Sequence, residues 1–448
     1  MHLYGENAAG RVQLSFAYVD KALDFLLSIG LKPFIQLGFM PEALSKENVH
    51  RFQYSISAPS SSEKWCAMID QLIDHLQRRY GEEEVRSWLF CLWDQPDLAP
   101  EESAFADPTV FCTFYRQTWQ IVKHRDSGIS FGAPATFYLP QENSWYLRFL
   151  NWCAEHECLP DFLNFHYYDL VTNSVDTAQQ TFGFQESMTL GVTPDDFQKF
   201  VNQVLGDRRK LHLEQLPIYL TEWNNTPSQQ DLLNDTCFKS CYIVKGVLEN
   251  YDKLDSFAYW SLTDWMGEGS QPEQMFFGGL GMFTSDGIPK ASYYAFTLLR
   301  QLGDTLLGKG EGWFATRQGK SYRILLYNYR HFSHLYALGE RFDMTFTDRH
   351  TPFSPEQMLD VSLTLEGLPD GEYLISEKIV SRRSGSAFNQ WVAMGAIELT
   401  TQEERENLIF RSVPAISRYK VSVQNGKLPI AALLDMLEVR LIAVDPLL

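Results

Sequence analysis

Two apolar runs of strand length end in side chains that could take part in acid–base chemistry. The run Trp88–Pro96 reads WLFCLWDQP, and the run Pro217–Asn225 reads PIYLTEWNN. A buried strand that ends in polar residues is typical of a barrel that delivers side chains to one site. The second run delivers a carboxylate, Glu222, whereas the first delivers Asp94 and an amide, Gln95.

Gln95 decides which chemistry is available to this pair of strand ends. Retaining glycosidases use two carboxyl groups about 5–5.5 Å apart, one as nucleophile and one as acid/base. An amide cannot supply or take up the proton, so Gln95 is not equivalent to an acid. Side chains alternate along a strand, and we therefore expect Asp94 to point away from the place where Gln95 points. The alternative interpretation of this segment is a strand-end turn into Pro96.

Glu222 and His166 are further candidate site residues, because each lies near the end of a predicted strand. A carboxylate at the end of a buried strand must be hydrogen-bonded or functional, because burial of an unpaired charge is costly. The alternative for Glu222 is a carboxylate held by an arginine or by loop amides. His166 and Tyr168 end the run FLNFHYY, and a structural histidine is the alternative there.

The segment AYWSLTDWMGEG ends the last predicted strand of this kind and contains Trp260, Asp264 and Glu268. Trp260 is either a core residue or a flat platform for a sugar ring, whose C–H faces pack on aromatic rings. Glu268 lies beside glycines and would be a loop residue that accepts hydrogen bonds from hydroxyl groups.

Strand-like runs alternate with helical patterns from residue 18 to about residue 300. The predicted strands are 32–41, 88–93, 129–133, 162–168, 217–221 and 256–262. The predicted helices are 18–29, 62–80, 109–124, 144–157, 195–206 and 235–250, the second with a capping box from Ser60 to Glu63. Continuous apolar strands in a repeated βα order predict a parallel sheet, and the period fits an α/β fold of the (β/α)₈ TIM barrel type.

The barrel of this prediction is incomplete, because only six strands are found and the first begins at Lys32. We therefore expect a barrel that lacks its first two strands over residues 1–302. The sequence pattern changes after residue 303 to short runs of β-forming residues that are separated by turns. This pattern predicts a β-sandwich-like domain over residues 303–448. The runs are YRILLYNY, FDMTFT, VSLTLEGL, EYLISEKIV, AAL and VRLIAV.

Composition limits the classes of partner. The chain has 448 residues with 38 basic and 56 acidic side chains, a formal net charge of −18. It shows no basic run, so we expect no nucleic-acid binding by this segment and no attraction to anionic membranes. No signal peptide, membrane span or cofactor motif is found, which predicts a cytoplasmic protein without a cofactor. The seven cysteines lack zinc-type spacing, which favours buried thiols over a metal site.

The chain resembles glycoside hydrolase family 39, the β-xylosidases and α-L-iduronidases. It looks closest to the xylosidase-like modules that are fused to AraC-type transcription regulators. The resemblance covers most of residues 15–300 and continues less specifically to the C-terminus. Its motifs are LDFLLSIGLKPFIQLGFMPEAL, EVRSWLFCLWDQPD, FLNFHYY, IYLTEWNNTPS, DSFAYWSLTDW and FFGGLGMFTSDGIPKASYYAF.

The resemblance implies a TIM barrel with a β-sandwich and a retaining mechanism on a β-linked pentoside. It implies that Glu222 is the nucleophile and that Gln95 occupies the acid/base position. It implies substrate binding by five further residues, which are Asp94, His166, Tyr168, Trp260 and Glu268.

The departures from the family pattern cluster in the site, while the global motifs persist. The family's WNEP is WDQP here, its second acidic position is Gly267, and Phe277 stands where the family usually has a histidine. This pattern favours a barrel retained for binding or regulation over one retained for hydrolysis.

Three functions follow from these observations. The first is a β-xylosidase-like module whose hydrolysis is impaired by Gln95. The second is a non-catalytic carbohydrate-sensing domain of an AraC-type regulator, with a xylose or xylo-oligosaccharide ligand. The third is a truncated relic that folds poorly, because an unclosed barrel exposes sheet edges. The sugar and the oligomeric state stay open.

Overall fold

A computed structural model describes residues 3–7, 9–51, 53–137, 144–170, 189–265, 274–340 and 344–447. The chain forms two compact units. The first comprises Met1–Tyr167, Asn202–Trp223 and Lys253–Ala258, and the second comprises Tyr168–Val201, Asn224–Asp252 and Tyr259–Leu448. The predicted domain boundary between residues 302 and 303 stays a prediction.

Short strands and longer helices alternate up to residue 299. The strands are β1 (Tyr4–Glu6), β2 (Val12–Leu14), β3 (Phe34–Leu37), β4 (His50–Arg51), β5 (Tyr54–Ser55), β6 (Leu89–Leu92), β7 (Ser130–Gly132), β8 (Thr136–Phe137), β9 (Leu163–Tyr168), β10 (Ile218–Asn224) and β11 (Ser256–Tyr259). The helices are α1 (Ala17–Ser28), α2 (Ser62–Tyr80), α3 (Glu82–Arg86), α4 (Pro108–Arg125), α5 (Trp145–Glu155), α6 (Asp196–Lys210), α7 (Cys237–Asn250) and α8 (Ala291–Leu299). Each of the six predicted helices and six predicted strands of this region is present.

The strands that carry the site run in chain order across two sheets. One sheet has the order β3-β6-β7, and the other has the order β11-β10-β9-β8. β3 and β6, β6 and β7, and β8 and β9 pair in parallel. A parallel bridge between Asp94 and Ala135 connects the two sheets, with Gln95 N donating to Ala135 O over 2.7 Å. The carboxyl ends of these parallel strands therefore lie at one edge, where the predicted site residues are found.

Helix α2 shows how local sequence sets these elements. It buries the apolar face that its period predicts, and it ends at Gly81, whose φ of +91° suits a residue without a Cβ. The capping prediction was wrong by one residue. The Ser61 side chain accepts from Lys64 N, whereas the Ser60 hydroxyl donates to Leu44 O instead.

The C-terminal part of the second unit is a two-layer β structure. Its strands are β12 (Thr305–Gly310), β13 (Trp313–Gln318), β14 (Ser321–Tyr327), β15 (Leu359–Glu366), β16 (Gly371–Val380), β17 (Ala415–Val423), β18 (Lys427–Leu434) and β19 (Val439–Pro446). One sheet has the order β12-β13-β14-β19-β16-β17, and β15 pairs with β18 in the other. A shared apolar core contains side chains of both sheets, among them Ile324, Val361 and Ile430. The predicted β-sandwich-like architecture is confirmed.

Sequence reasoning missed several elements of this part. It did not find β12, β13 and β17, nor the helices α9 (His334–Ala337), α10 (Ala387–Ala393) and α11 (Gln402–Arg411). It predicted a strand in FDMTFT, but residues 344–347 form no strand, and residues 342 and 343 lie outside the described ranges.

The structure also bears on the cysteines and on possible membrane spans. All seven cysteines are free thiols, and six of them are buried, as predicted. Among the described residues, no helix combines the length and the apolar character needed to cross a bilayer.

Candidate active site

The backbone after β6 departs from strand geometry just where the site begins. The strand ends at Leu92, and Trp93 and Gln95 then adopt φ values of +66° and +43°. These left-handed conformations are unfavourable for residues with a Cβ and persist only where the surroundings hold them. The Gln95 N to Ala135 O hydrogen bond of 2.7 Å is one such restraint.

This backbone brings Asp94 and Gln95 to the same atom. Gln95 Nε2 lies 2.9 Å from His166 Nδ1, and Asp94 Oδ1 lies 3.9 Å from that nitrogen. The prediction that the two side chains point to different places was therefore wrong. Strand alternation does not apply here, because the positive φ values at Trp93 and Gln95 turn the chain between the two side chains.

Glu222 approaches His166 from β10. Its Oε2 atom lies 3.5 Å from His166 Nδ1, and one oxygen of Asp94, one oxygen of Glu222 and a ring nitrogen of His166 all lie within 4.8 Å of one another. The structure thus brings four of the predicted site residues together. A set of two carboxylates and an imidazole could bind a divalent cation, but a guanidinium already supplies positive charge beside Asp94.

That guanidinium belongs to Arg51, which sequence reasoning missed. Its Nη1 atom donates to Gln95 Oε1 over 3.2 Å and lies 3.6 Å from Asp94 Oδ2. Its Nη2 atom donates to the carbonyl oxygens of Leu98, over 3.3 Å, and Gln95, over 3.5 Å. Arg51 lies on the short β4–β5 hairpin, so the strand-end pattern could not reveal it.

Gln36 is a second residue that the sequence did not single out. It lies on β3, and its Nε2 atom donates to Trp93 O over 2.7 Å and to Asp94 Oδ1 over 3.2 Å. Gln36 therefore holds both the turned backbone and the Asp94 carboxylate. Its place near the end of the strand run KPFIQL was a signal of the type already used for Gln95.

Electrostatics keep His166 neutral. The pKa of His166 is lowered to about 4, chiefly by burial, while the Asp94 carboxylate opposes this shift and the Arg51 charge adds to it. Nearby, burial raises the pKa of Asp97 to about 7 against a hydrogen bond from Phe137 N of 3.2 Å. At neutral pH His166 is therefore an uncharged imidazole between two carboxylates.

The other predicted site residues lie in the second unit or outside the described ranges. Tyr168 is the last residue of β9 and is buried. The Trp260 carbonyl accepts from Asn224 Nδ2 over 2.6 Å, and the Asn224 side chain in turn accepts from the buried Lys239 ammonium. Glu268 and Gly267 lie outside the described ranges, whereas Phe277 is buried.

Asp264, which follows Trp260 in the sequence, belongs to a buried ion cluster that consists of Asp235, Asp264, Lys290 and Arg349. Lys290 Nζ lies 2.7 Å from Asp235 and 3.0 Å from Asp264, and Arg349 Nη1 lies 2.8 Å from Asp235. Backbone groups supply further partners, since Lys290 donates to Gly279 O over 2.7 Å. Asp264 is thus part of the packing of the second unit.

The strand order and the facing side chains define a glycosidase-type α/β barrel with a β domain. The chain belongs to glycosyl hydrolases family 39, and the sequence model of that family matches residues 1–428. It is 31% identical over 422 residues to a β-xylosidase of Caldicellulosiruptor saccharolyticus, which covers 93% of this chain and 80% of that protein. It also superposes on the crystal structure of a monomeric β-xylosidase from Caulobacter crescentus with a TM-score of 0.85 and 25% identity, over 99% of this chain and 87% of that one. The chain is a β-xylosidase-like module.

A second group of relatives matches a smaller part. An uncharacterized HTH-type transcriptional regulator of Staphylococcus aureus is 21% identical over 222 residues, which is 50% of this chain and 28% of that protein.

Proposed function

We propose that this chain binds a small carbohydrate of the β-xyloside class at Asp94, His166 and Glu222, and that it hydrolyses natural β-xylosides poorly. Membership of family 39 supports the substrate class, together with the β-xylosidases among the relatives. Tyr168, Trp260 and Glu268 are the further sugar contacts that we propose from the family resemblance.

The observation that carries the proposal is the hydrogen bonding and burial of the Gln95 side chain. Both atoms of its amide are engaged, Oε1 by Arg51 at 3.2 Å and Nε2 by His166 at 2.9 Å. The side chain is 4% exposed. An amide held in this way can orient its neighbours, but it has no proton to give to a leaving group.

The residual chemistry is a retaining reaction without its acid. Glu222 would attack the anomeric carbon, the bond to the leaving group would break, and a covalent glycosyl-enzyme would form. The leaving group would depart with its electron pair and without a proton. General acid catalysis contributes about 10²–10⁴-fold, so an aryl xyloside with a good leaving group can react where xylobiose barely does.

The test is the dependence of the rate on the leaving group, measured for the native chain and for Gln95→Glu. We expect the native chain to act on 2,4-dinitrophenyl β-xyloside and to be at least about 10²-fold slower on xylobiose than Gln95→Glu. The gain of Gln95→Glu in kcat/KM for the dinitrophenyl substrate should be small, because formation of the glycosyl-enzyme with that leaving group needs no proton. Its kcat should still rise, because a carboxylate at position 95 also supplies the base that activates water for hydrolysis of the glycosyl-enzyme.

Glu222→Gln is the matched control, because it replaces the proposed nucleophile with an amide of nearly the same size. It should lose turnover of both substrates. Equal rates of the native chain and Gln95→Glu on xylobiose would contradict the proposal.

The second candidate is a carbohydrate-sensing domain of a transcription regulator. The match to an HTH-type regulator over half of the chain supports it, as does the loss of the acid at position 95. In this function the sugar binds and is released unchanged. The genomic sequence next to the coding region for this chain tests it, because a sensor domain requires a DNA-binding domain in the same polypeptide or a partner that carries one.

A further inference from the structure

Arg51 and Gln95 together determine which nitrogen of His166 carries the proton. An arginine side chain has only donors, so the atom of Gln95 that faces Arg51 must be the amide oxygen. The distance of 3.2 Å from Arg51 Nη1 to Gln95 Oε1 fits this orientation. The amide NH₂ group then faces His166 Nδ1 at 2.9 Å, and that nitrogen must be the acceptor.

The opposite arrangement is the competing state. His166 Nδ1 lies 3.5 Å from Glu222 Oε2 and 3.9 Å from Asp94 Oδ1, and two carboxylates attract a proton to that nitrogen. A proton on Nδ1 would, however, face the NH₂ group of Gln95. The amide could relieve this only by turning, which would aim its NH₂ group at the Arg51 guanidinium. Arg51 therefore decides between the two states.

We infer that Arg51 is a positioning residue that holds His166, through the Gln95 amide, in the neutral tautomer with the proton on Nε2. The three groups form one line of hydrogen bonds, which we call the Arg51–Gln95–His166 relay. Arg51 is itself fixed, since its Nη2 atom also donates to the carbonyl oxygens of Gln95 and Leu98.

The relay gives His166 a defined role toward a ligand. In the described part of the chain, the polar contacts of His166 with Gln95, Asp94 and Glu222 all involve Nδ1, and no hydrogen bond to Nε2 is found. With the proton on Nε2, His166 offers an N–H donor and selects a ligand oxygen that accepts a hydrogen bond. This last step rests on the proposed function, whereas the tautomer itself is a property of the unliganded protein.

A glutamate at position 95 would reverse the relay. A carboxylate can accept from Nδ1–H, and it would also place a negative charge beside the imidazole, which favours its protonated form. Glutamine instead of glutamate at position 95 therefore changes two properties of the site at once. The acid is absent, and His166 is a fixed neutral donor instead of a group that can be charged.

The experiment is ¹⁵N NMR spectroscopy of the unliganded full chain with labelled histidines, assigned with His166→Gln. At pH 7 we expect Nδ1 of His166 to give the signal of an unprotonated ring nitrogen and Nε2 that of a protonated one. In Gln95→Glu, Nδ1 should carry a proton, and the pKa of His166 should rise from about 4 by at least about one unit. The charged groups that face the ring in this titration are Asp94, Glu222 and Arg51.

Arg51→Leu tests the role of Arg51, and Arg51→Met, which keeps a long side chain without donors, is the second variant in case the first does not fold. Both should increase the fraction of His166 with a proton on Nδ1. Arg78→Leu is the matched control, because Arg78 is an exposed arginine on α2 with only a surface ion pair to Asp74. It should leave the His166 signals unchanged.

Two results would overturn the inference. One is a proton on Nδ1 of His166 in the native chain at pH 7. The other is an unchanged His166 spectrum in folded Arg51→Leu or Arg51→Met. Neither result depends on sugar binding, so failure of the inference and failure of the proposed function can be told apart.

Discussion

The site around His166 and the buried ion cluster both contain two carboxylates beside positive charge, one guanidinium in the site and two cations in the cluster, but they differ in the distances between these groups and in their exposure to solvent. In the buried ion cluster, the three ion pairs span 2.7–3.0 Å, and the side chains are at most 1% exposed. In the site, the distances among charged or titratable groups are 3.5–3.9 Å, and Asp94 is 22% exposed. The first arrangement is closed to solvent, whereas the second has a carboxylate, that of Asp94, which a ligand can reach.

The backbone shows the same difference. Asp235 and Asp264 accept from the amides of Gly278 and Gly281 at 2.8 and 2.7 Å, so loop backbone completes the buried ion cluster. The site instead contains two left-handed non-glycine residues, Trp93 and Gln95. Strain of this kind collects at functional sites, where the fold over-determines an unfavourable conformation.

The largest expected effect is the loss of stability when the buried ion cluster is broken. Arg349→Leu leaves Asp235 with one cation fewer in a position without solvent, and removal of one partner of a buried pair costs about 3–5 kcal/mol. Urea unfolding should show this loss. Arg383→Leu is the control, since the Arg383 side chain is 85% exposed, and it should change the free energy of unfolding by less than about 0.5 kcal/mol. Similar effects of the two variants would contradict a structural role for the buried ion cluster.

A smaller effect is the fall in the free energy of unfolding as the pH is lowered below 6.5. The folded chain keeps His166 neutral down to a pKa of about 4, whereas the unfolded chain takes up this proton near pH 6.5. The unfolded state therefore binds more protons between these values, and stability falls as the pH is lowered through this range. The largest contribution is about 3 kcal/mol near pH 4.

The measurement compares the native chain with His166→Asn, which keeps a hydrogen-bonding group near the position of Nδ1. The difference in unfolding free energy should shift in favour of the variant as the pH falls from 6.5 to 4. Comparison with a variant cancels other groups, such as Asp97, whose pKa is raised to about 7 and which acts in the opposite direction. A difference that does not depend on pH would contradict the neutral, buried state of His166.

The smallest expected effect on stability is that of Asp94→Asn. The Asp94–Arg51 pair spans 3.6 Å with both side chains partly exposed, and such pairs contribute about 0–1 kcal/mol. The midpoint of thermal unfolding should change little. If Asp94→Asn destabilised the chain as strongly as Arg349→Leu, the site would be part of the structural core.

The sequence was sufficient for the elements that depend on local periodicity. The predicted α2 has the observed bounds, and the six predicted strands appear in the predicted order along the chain, because buried strands and amphipathic helices leave strong patterns. The strands β12, β13 and β17 were missed, because exposed residues interrupt their apolar runs.

The site was predictable only where residues lie at strand ends. Glu222, His166, Asp94 and Gln95 were found in this way. Arg51 was not, because its position depends on the fold of a two-stranded hairpin that brings the guanidinium to Gln95. The orientation of Asp94 was wrong for a similar reason, since the positive φ values of Trp93 and Gln95 are a property of the folded backbone.

The most direct test of the account is one calorimetric titration of the native chain with xylobiose, followed by sugar analysis of the same solution. The account predicts a saturable heat of binding and xylobiose recovered intact, with the heat reduced in Asp94→Ala, which has no polar side chain at this position. Rapid release of xylose, or no heat of binding at all, would contradict a site that holds this class of sugar and barely cleaves it.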